Sequence, residues 1–225
     1  YAVNDPYHGG THLPDITVIS PVHDDAGDEV LFWVASRGHH AEIGGITPGS
    51  MPARSRSVEE EGVLFDAWLL VEDGRFREAE TRALLTGGAH PSRNPDGNLA
   101  DLRAQVAANA RGAEEVATMI AHFGLDVVRA YMRHVQDNAE EAVRRVIDTL
   151  EGGEYAYETD SGATIRVRLT VDRAERSAVL DFTGTSPQLA TNLNAPAAVT
   201  TAAVLYVFRT LVDDDIPLND GCLRP

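Results

Sequence analysis

The chain has 225 residues, enough for one large domain or two small ones, and its 43% hydrophobic and 24% charged residues are ordinary for a globular protein. The formal net charge is −16 and all 19 basic residues are arginine, which argues against a nucleic-acid binder because a phosphate backbone requires a clustered positive surface. No segment has the roughly 18 consecutive apolar residues of a membrane-spanning helix. A single cysteine excludes an internal disulfide and fits a cytoplasmic protein.

The N-terminal part of the chain is predicted to be rich in strands. Residues 16–22 are β-branched and bounded by proline, and residues 29–35 form a compact apolar run, so both are predicted strands. The segment 24–28 between them has turn composition, which predicts a hairpin. The glycine- and proline-rich segment 38–52 is predicted to be a long functional loop, and the apolar run 63–71 a third strand.

The middle of the chain has the period of helices. Apolar residues recur at helical spacing over 98–123, and Gly124 follows as a C-cap. A second helix is predicted over 126–150, with one apolar stripe that is expected to lie in the core.

The C-terminal part returns to strands before a last helix. Residues 163–171 alternate between apolar and polar side chains, which predicts a half-buried strand paired with 177–182. Residues 195–212 are rich in alanine and valine and are predicted to form a buried helix that begins near Pro196.

These elements predict an α+β fold in which mixed sheets with antiparallel hairpins pack against long amphipathic helices. We expect a single domain, truncated at both ends and therefore part of a longer protein. Its predicted parts are a β-rich part over 1–95 that contains a candidate metal site, a helical part over 96–152, and a β-hairpin with a buried helix over 153–225.

Candidate metal ligands are concentrated near the N-terminal end. His12 and Asp15 lie three residues apart around a proline, and so are predicted to lie in a loop. Imidazole nitrogen together with carboxylate oxygen is a donor set that divalent transition metals bind. Asp5 is a candidate for a second carboxylate.

His39 and His40 follow the second predicted strand. Adjacent side chains on extended backbone point in opposite directions, so at most one readily joins a given metal, and the other orients a ligand or exchanges a proton with substrate. Antiparallel pairing returns this segment to residues 12–15. One isolated histidine is more typical of a loop cap or a surface position, but four histidines and two aspartates converging through one hairpin favour a metal site.

Two further polar features are less specific. Asp101, Gln105 and Asn109 form a polar stripe along one helix face, which is more typical of solvation or of hydrogen bonds to a neighbouring loop than of catalysis. The segments 181–186 and 192–196 either hold an anion ahead of a helix N-terminus or serve as ordinary caps.

Eight short motifs occur in order along nearly the whole chain. They are NDPYHGGTHLPD at 4–15, GHHAEIGG at 38–45, PGSMP at 48–52, EEG at 60–62, DLRAQ at 101–105, DFTGTS at 181–186, NLNAP at 192–196 and IPLN at 216–219. Each is weak alone, but taken together they closely resemble the hydantoinase B/oxoprolinase family.

The resemblance implies a subunit that works in a hetero-oligomer with an ATP-using hydantoinase A-type partner, which activates the substrate by phosphorylation. It implies ATP-dependent opening of a small cyclic amide, 5-oxoproline or a hydantoin. An ATP-dependent ketone carboxylase subunit is the alternative within enzymes, and a non-catalytic assembly subunit with structural histidines is the alternative outside them.

The carboxylase relatives imply a divalent metal, manganese in preference to zinc or iron, on the His12–Asp15 segment and on one of the two adjacent histidines. Glu42 stands where the family pattern leads us to expect Asp, which leaves its role and the substrate preference open. The predicted metal ligands are Asp5, His12, Asp15 and His39, and the predicted catalytic residues are His39, His40 and Glu42.

Overall fold

The computed structural model describes residues 1–24 and 26–225, so Asp25 of the predicted turn lies outside the described residues. The described residues form helices and separate antiparallel sheets in successive segments of the chain, which confirms the α+β class. The strands are β1 (Ala2–Val3), β2 (Asp15–His23), β3 (Val30–His39), β4 (Val71–Glu72), β5 (Arg75–Phe76), β6 (Gly153–Glu158), β7 (Thr164–Asp172) and β8 (Ser177–Asp181). The α-helices are α1 (Glu78–Thr86), α2 (Pro95–Phe123), α3 (Leu125–Ile147) and α4 (Ala197–Leu211).

The chain divides into two compact units. The first comprises Tyr1–Ala121 with Ala190–Val199, and the second comprises His122–Leu189 with Thr200–Pro225. The expected division into three parts of one domain stays a prediction.

The first unit is built on the sheet β1-β2-β3, whose strands are all antiparallel. In β2, alternate β-branched side chains face the core, and Ile16 and Val18 are fully buried, as the period of a half-buried strand requires. β3 continues four residues beyond the predicted end at residue 35, so that Gly38 and His39 lie in the strand and not in the predicted loop. Gly38 lets helix α2 approach the strand closely, because a Cβ at this position would stand only 3.3 Å from the side chain of Gln105 on α2.

Helix α2 covers this sheet and closes the core of the first unit. Leu99 and Leu102 are buried on its inner face, as the helical period predicts. Gln105 and Asn109 continue the same face, and their side-chain amides donate to the backbone oxygens of β2. The core residues are Ala2, Leu13, Ile16, Val18, Ile43, Val63, Phe65, Leu70, Leu85, Leu99 and Leu102.

The predicted third strand over 63–71 is wrong, because only Val71 at its end is in a strand. Its backbone finds other partners: the Asn4 side chain donates to Val63 O and accepts from Phe65 N, and Trp68 forms an isolated bridge with Ala2. The β4–β5 hairpin and helix α1 lie in the segment after it and were not predicted.

The second unit contains the antiparallel sheet β6-β7-β8 and helix α3. The predicted pairing of 163–171 with 177–182 is confirmed by β7 and β8, whereas β6 was not predicted. Of the predicted apolar stripe of α3, Val128, Ala139, Val143 and Val146 are buried, but Met132 and Val135 are exposed.

The predicted burial of the last helix is wrong for most of α4. Phe208 is buried, but the neighbouring Tyr206 and Val207 are exposed. Among the described residues, no helix is both long enough and apolar enough to cross a membrane.

Candidate functional site

Three of the predicted ligands lie together at one end of the β2–β3 hairpin. Asp15 is the first residue of β2 and pairs in register with His39, the last residue of β3, so the two side chains share one face of the sheet. His12 Nε2 lies 3.1 Å from Asp15 Oδ2, and the rings of His12 and His39 are 5.0 Å apart. One potential ligand atom from each residue lies within 4.8 Å of the others, and these three residues are called the HDH cluster below.

The turn that carries His12 and Asp15 is held by hydrogen bonds on both sides. Thr11 Oγ1 donates to Asp15 Oδ2 at 2.7 Å, which orients the carboxylate. Asp15 N donates to His12 O at 3.0 Å, and His40 N donates to Pro14 O at 2.8 Å. The second of these backbone bonds ties the end of β3 to the turn, so the geometry of the HDH cluster is set by backbone contacts as well as by the strand register.

His40 points into the protein, away from the HDH cluster, and is 1% exposed. Gln105 Nε2 donates to two strand carbonyls, so its Oε1 faces His40 and accepts from Nε2 at 3.2 Å. The other ring nitrogen, Nδ1, then accepts from Asn98 Nδ2, also at 3.2 Å. This network assigns the neutral tautomer with hydrogen on Nε2. Burial lowers the pKa of His40, against the opposing effects of the Gln105 hydrogen bond and the Asp101 charge.

Glu42 lies beyond the strand end and connects two loops. Its carboxylate accepts from Ser92 Oγ and from the backbone N–H groups of Gly44, Arg93 and Asn94. Burial raises the pKa of Glu42, but these hydrogen bonds outweigh it and hold the pKa below the ordinary value. The side chain is 13% exposed, so Glu42 has the surroundings of a buried anion that fixes the loop after His40.

Asp5 is not brought to the HDH cluster. Its carboxylate accepts from Tyr7 N at 2.8 Å and lies 2.6 Å from His8 Nδ1. The hydrogen bond with His8 lowers the pKa of Asp5 and raises that of His8. Asp5 and His8 thus form a separate pair in which Asp5 is nearly buried and His8 is exposed.

A cavity of about 100 Å³ lies against His12 in the first unit. Its walls are His12, Ser50, Met51, Pro52, Glu61 and Asn192. Ser50 has a left-handed backbone with φ of 53°, an uncommon conformation for a residue with a side chain. A wider hollow of about 280 Å³ lies on the β6-β7-β8 sheet of the second unit. It contains none of the predicted metal or catalytic residues, but Asp181 and Thr183 of the segment 181–186 line it.

Comparison with known proteins identifies a family over the whole chain. The family model of hydantoinase B/oxoprolinase matches residues 1–225. The chain belongs to this family. The 5-oxoprolinase of Dictyostelium discoideum is 45% identical over 234 residues, covering 99% of this chain but 18% of that protein. The B-type subunit of a putative D-/L-hydantoinase of Pseudomonas sp. (strain NS671) is 30% identical, and the match covers 99% of this chain and 40% of that protein.

Two solved structures share the fold of this hydantoinase B-type chain. The ATP-dependent caprolactamase from Pseudomonas jessenii superimposes with a TM-score of 0.78 at 25% identity, covering 99% of this chain and 38% of the solved one. A nucleotide-free acetone carboxylase structure gives a TM-score of 0.81 at 18% identity, covering 98% of this chain and 31% of the solved one. This second likeness supports the fold alone.

The HDH cluster of this family member has the donor set of a transition-metal site. Two imidazoles and one carboxylate suit manganese, zinc and iron. His12 Nε2 is the ring nitrogen that lies against the Asp15 carboxylate, and Thr11 orients that carboxylate as supporting residues do around bound metals. The residues present therefore fit a divalent ion.

Sequence reasoning assigned no role to three residues around His40 and the cavity. Asn98 and Ser92 connect His40 to Glu42, and Asn192 reaches the cavity from a segment 180 positions after His12. The hydantoinase B motif at 192–196 singled out Asn192, but spacing along the chain contains no signal for its position beside His12.

Proposed function

We propose that this chain is the metal-carrying part of an ATP-dependent enzyme that opens cyclic amides of the 5-oxoproline or hydantoin type. The observation that carries the proposal is the HDH cluster, with one potential ligand atom each from His12, Asp15 and His39 within 4.8 Å. The relatives named as a 5-oxoprolinase and as part of a hydantoinase support the substrate class. The chain spans less than a fifth of the length of the Dictyostelium relative, so the activity belongs to the whole protein.

His12, Asp15 and His39 are the proposed ligands of a divalent ion, manganese in preference to zinc or iron. When bound, such an ion supplies Lewis-acid polarisation of a carbonyl oxygen and lowers the pKa of water. The chain's own contribution is orientation. Thr11 fixes the Asp15 carboxylate, and the strand register presents His39 beside it.

His40 and Glu42 have different proposed roles from the one predicted from sequence. Both ring nitrogens of His40 already have protein partners, so proton exchange with a substrate would first require one of these hydrogen bonds to break. We assign His40 as a positioning residue for the end of β3. Glu42 fixes the following loop, and the prediction that either residue contacts substrate stays a prediction.

A hydantoinase A-type subunit or domain is the proposed partner and uses the ATP. The Pseudomonas relative is named as one subunit of a hydantoinase, which supports separate subunits in a hetero-oligomer. The much longer 5-oxoprolinase relative is compatible with a partner joined in the same chain. We propose a cytoplasmic location for the complex.

The test uses the natural protein that carries this chain, assembled with its ATP-using partner. Substrate-dependent ATP turnover is measured with 5-oxoproline, with hydantoin, and with acetone plus bicarbonate, and bound metal is measured by elemental analysis. We expect turnover with a cyclic amide and about one divalent ion per chain. Turnover with acetone and bicarbonate alone would support the ketone carboxylase, whose fold this chain shares.

Matched variants separate an enzyme from an assembly subunit. His12→Ala and Asp15→Ala are expected to lose the metal and the ring opening, whereas His23→Ala, an exposed histidine at the other end of β2, keeps both. If metal is absent from the unaltered complex and the His12 and Asp15 variants remain fully active, the histidines are structural and the proposal fails.

A further inference from the structure

The cavity beside His12 has polar walls whose hydrogen bonds are mostly made within the protein. Ser50 Oγ accepts from Ile43 N and donates to Gly44 O, and Glu61 Oε1 accepts from Ser55 Oγ. These groups fix the shape of the cavity. Its volume of about 100 Å³ is several times what one water molecule needs, so it can hold part of a small molecule.

Two polar atoms of the cavity residues, Asn192 Oδ1 and His12 Nδ1, are buried without a hydrogen-bond partner among the described residues. Unpaired buried polar atoms are rare and each calls for an explanation, such as a ligand. In Asn192 the chemistry of the unpaired atom is fixed. Its Nδ2 donates to Pro52 O at 2.6 Å, and because a carbonyl only accepts, the amide cannot be turned the other way. The unpaired atom is therefore an acceptor.

The residue that carries this acceptor lines the same cavity as a member of the HDH cluster. His12 belongs both to the cluster and to the cavity wall, so a molecule held in the cavity lies against a proposed metal ligand. A secondary cyclic amide carries an N–H donor next to its carbonyl carbon. Asn192 lines the cavity, and the unpaired acceptor that it carries matches that N–H.

We propose that Asn192 is a substrate-recognition residue, whose Oδ1 accepts a hydrogen bond from the ring N–H of the cyclic amide. The inference rests on the proposed function and adds to it a residue that selects amides with a free N–H. A ring whose nitrogen is methylated offers no donor and brings a methyl group towards the buried oxygen. A buried acceptor left unpaired by the wrong substrate is the kind of site that discriminates most strongly between substrates.

The test compares two substrates in the natural protein with its ATP-using partner. One is the cyclic amide that the unaltered protein opens, and the other is the same ring methylated on the amide nitrogen. The quantity measured is the ratio of the two kcat/KM values, which does not depend on the fraction of enzyme that is folded. Asn192→Ala is expected to lower the ratio at least about 10-fold, mainly through slower turnover of the N–H ring.

Two more variants separate recognition from a structural role. Asn192→Gln keeps both an acceptor oxygen and an amide donor for Pro52 O, and is expected to keep a preference for the N–H ring. Asn194→Ala, an exposed asparagine in the same segment, is expected to leave the ratio unchanged. If Asn192→Ala loses all activity, the preference is measured in Asn192→Gln instead, and loss of the preference in that variant overturns the inference.

The remaining outcomes also decide. An unchanged ratio in Asn192→Ala means that the residue acts only through Pro52, which overturns the inference but leaves the proposed function standing. If no form opens the methylated ring, kcat/KM for the N–H ring decides, and a value that is unchanged in Asn192→Ala overturns the inference in the same way. If the unaltered protein opens no cyclic amide at all, the proposed function and this inference both fail.

Discussion

Neighbouring histidines at the end of β3 are expected to respond in opposite ways to the same substitution. His40 is 1% exposed and bonded through both ring nitrogens, whereas His39 is exposed and belongs to the HDH cluster. His40→Ala should therefore lower the free energy of unfolding strongly, with His39→Ala as its matched control. His39→Ala should remove bound metal, and it should change stability little when both proteins are unfolded free of metal.

The magnitude for His40→Ala has two contributions. Removing a buried ring leaves a cavity, which costs about 2–4 kcal/mol when the surroundings relax only partly. Gln105 Oε1 then loses its partner, which adds about 1–3 kcal/mol, while Asn98 Nδ2 keeps its bond to Glu42 O. Because surrounding groups relax, we expect a total of roughly 3–5 kcal/mol. The exposed His39 should change stability by less than about 0.5 kcal/mol.

Tryptophan fluorescence during urea unfolding measures this difference in the first unit alone. Both tryptophans of the chain, Trp33 and Trp68, lie in that unit. The reasoning is refuted if His40→Ala unfolds at the same urea concentration as the unaltered chain. It is also refuted if His39→Ala is the more destabilised of the two.

Three further predictions address other parts of the first unit. Because hydrogen bonds hold the folded pKa of Glu42 below its ordinary value of 4.5, its stabilising effect is present above that pH and is lost as the pH falls through the folded pKa. Glu42→Gln should thus be less stable than the unaltered chain at neutral pH, and urea titrations should show this difference shrinking as the pH falls below 4.5. Gly10→Ala should lower the free energy of unfolding by about 3 kcal/mol or more, because its Cβ would stand 2.5 Å from a backbone oxygen. Gly9→Ala is the control: its Cβ meets open space, so it should cost only its backbone strain, about 1 kcal/mol. Thermal unfolding measures both. Asp5→Asn should break the pair with His8 yet leave the metal content of the purified protein unchanged, and loss of metal would return Asp5 to the ligand set.

The hairpin and the helices could be predicted from the sequence because their signals are local. β-branched alternation at Ile16 and Val18 marks a strand with one buried face, and the turn composition between the strands sets their antiparallel return. From these two facts alone, Asp15 and His39 are brought near each other. The helical period likewise identified α2 and its buried residues Leu99 and Leu102.

The errors arise where a distant partner decides the outcome. The run 63–71 has the composition of a strand, but its backbone groups bond to the side chain of Asn4, a partner that no local pattern reveals. Helix α4 has the apolar composition of a core helix, yet composition does not state which surface covers it, and Tyr206 is exposed. Asn192 was not predicted to lie beside His12 for the same reason, because its partner residues are distant in the sequence.

The two amides that α2 directs at β2 have a consequence for which changes this region can accept. Gln105 and Asn109 are four residues apart, a rise of about 6 Å along a helix, and they bond to Ile16 O and Val18 O, which are two residues apart and about 6.6 Å along a strand. The spacing of the two amides on α2 therefore matches the spacing of the two carbonyls on β2 only while four residues separate the amides and two separate the carbonyls. Insertion or deletion of one residue in this stretch of either element would separate an amide from its carbonyl and displace Asp15 from His39. Changes of length should instead be tolerated at the far end of the hairpin, between His23 and Val30, because the amides of Gln105 and Asn109 bond to the other end of β2.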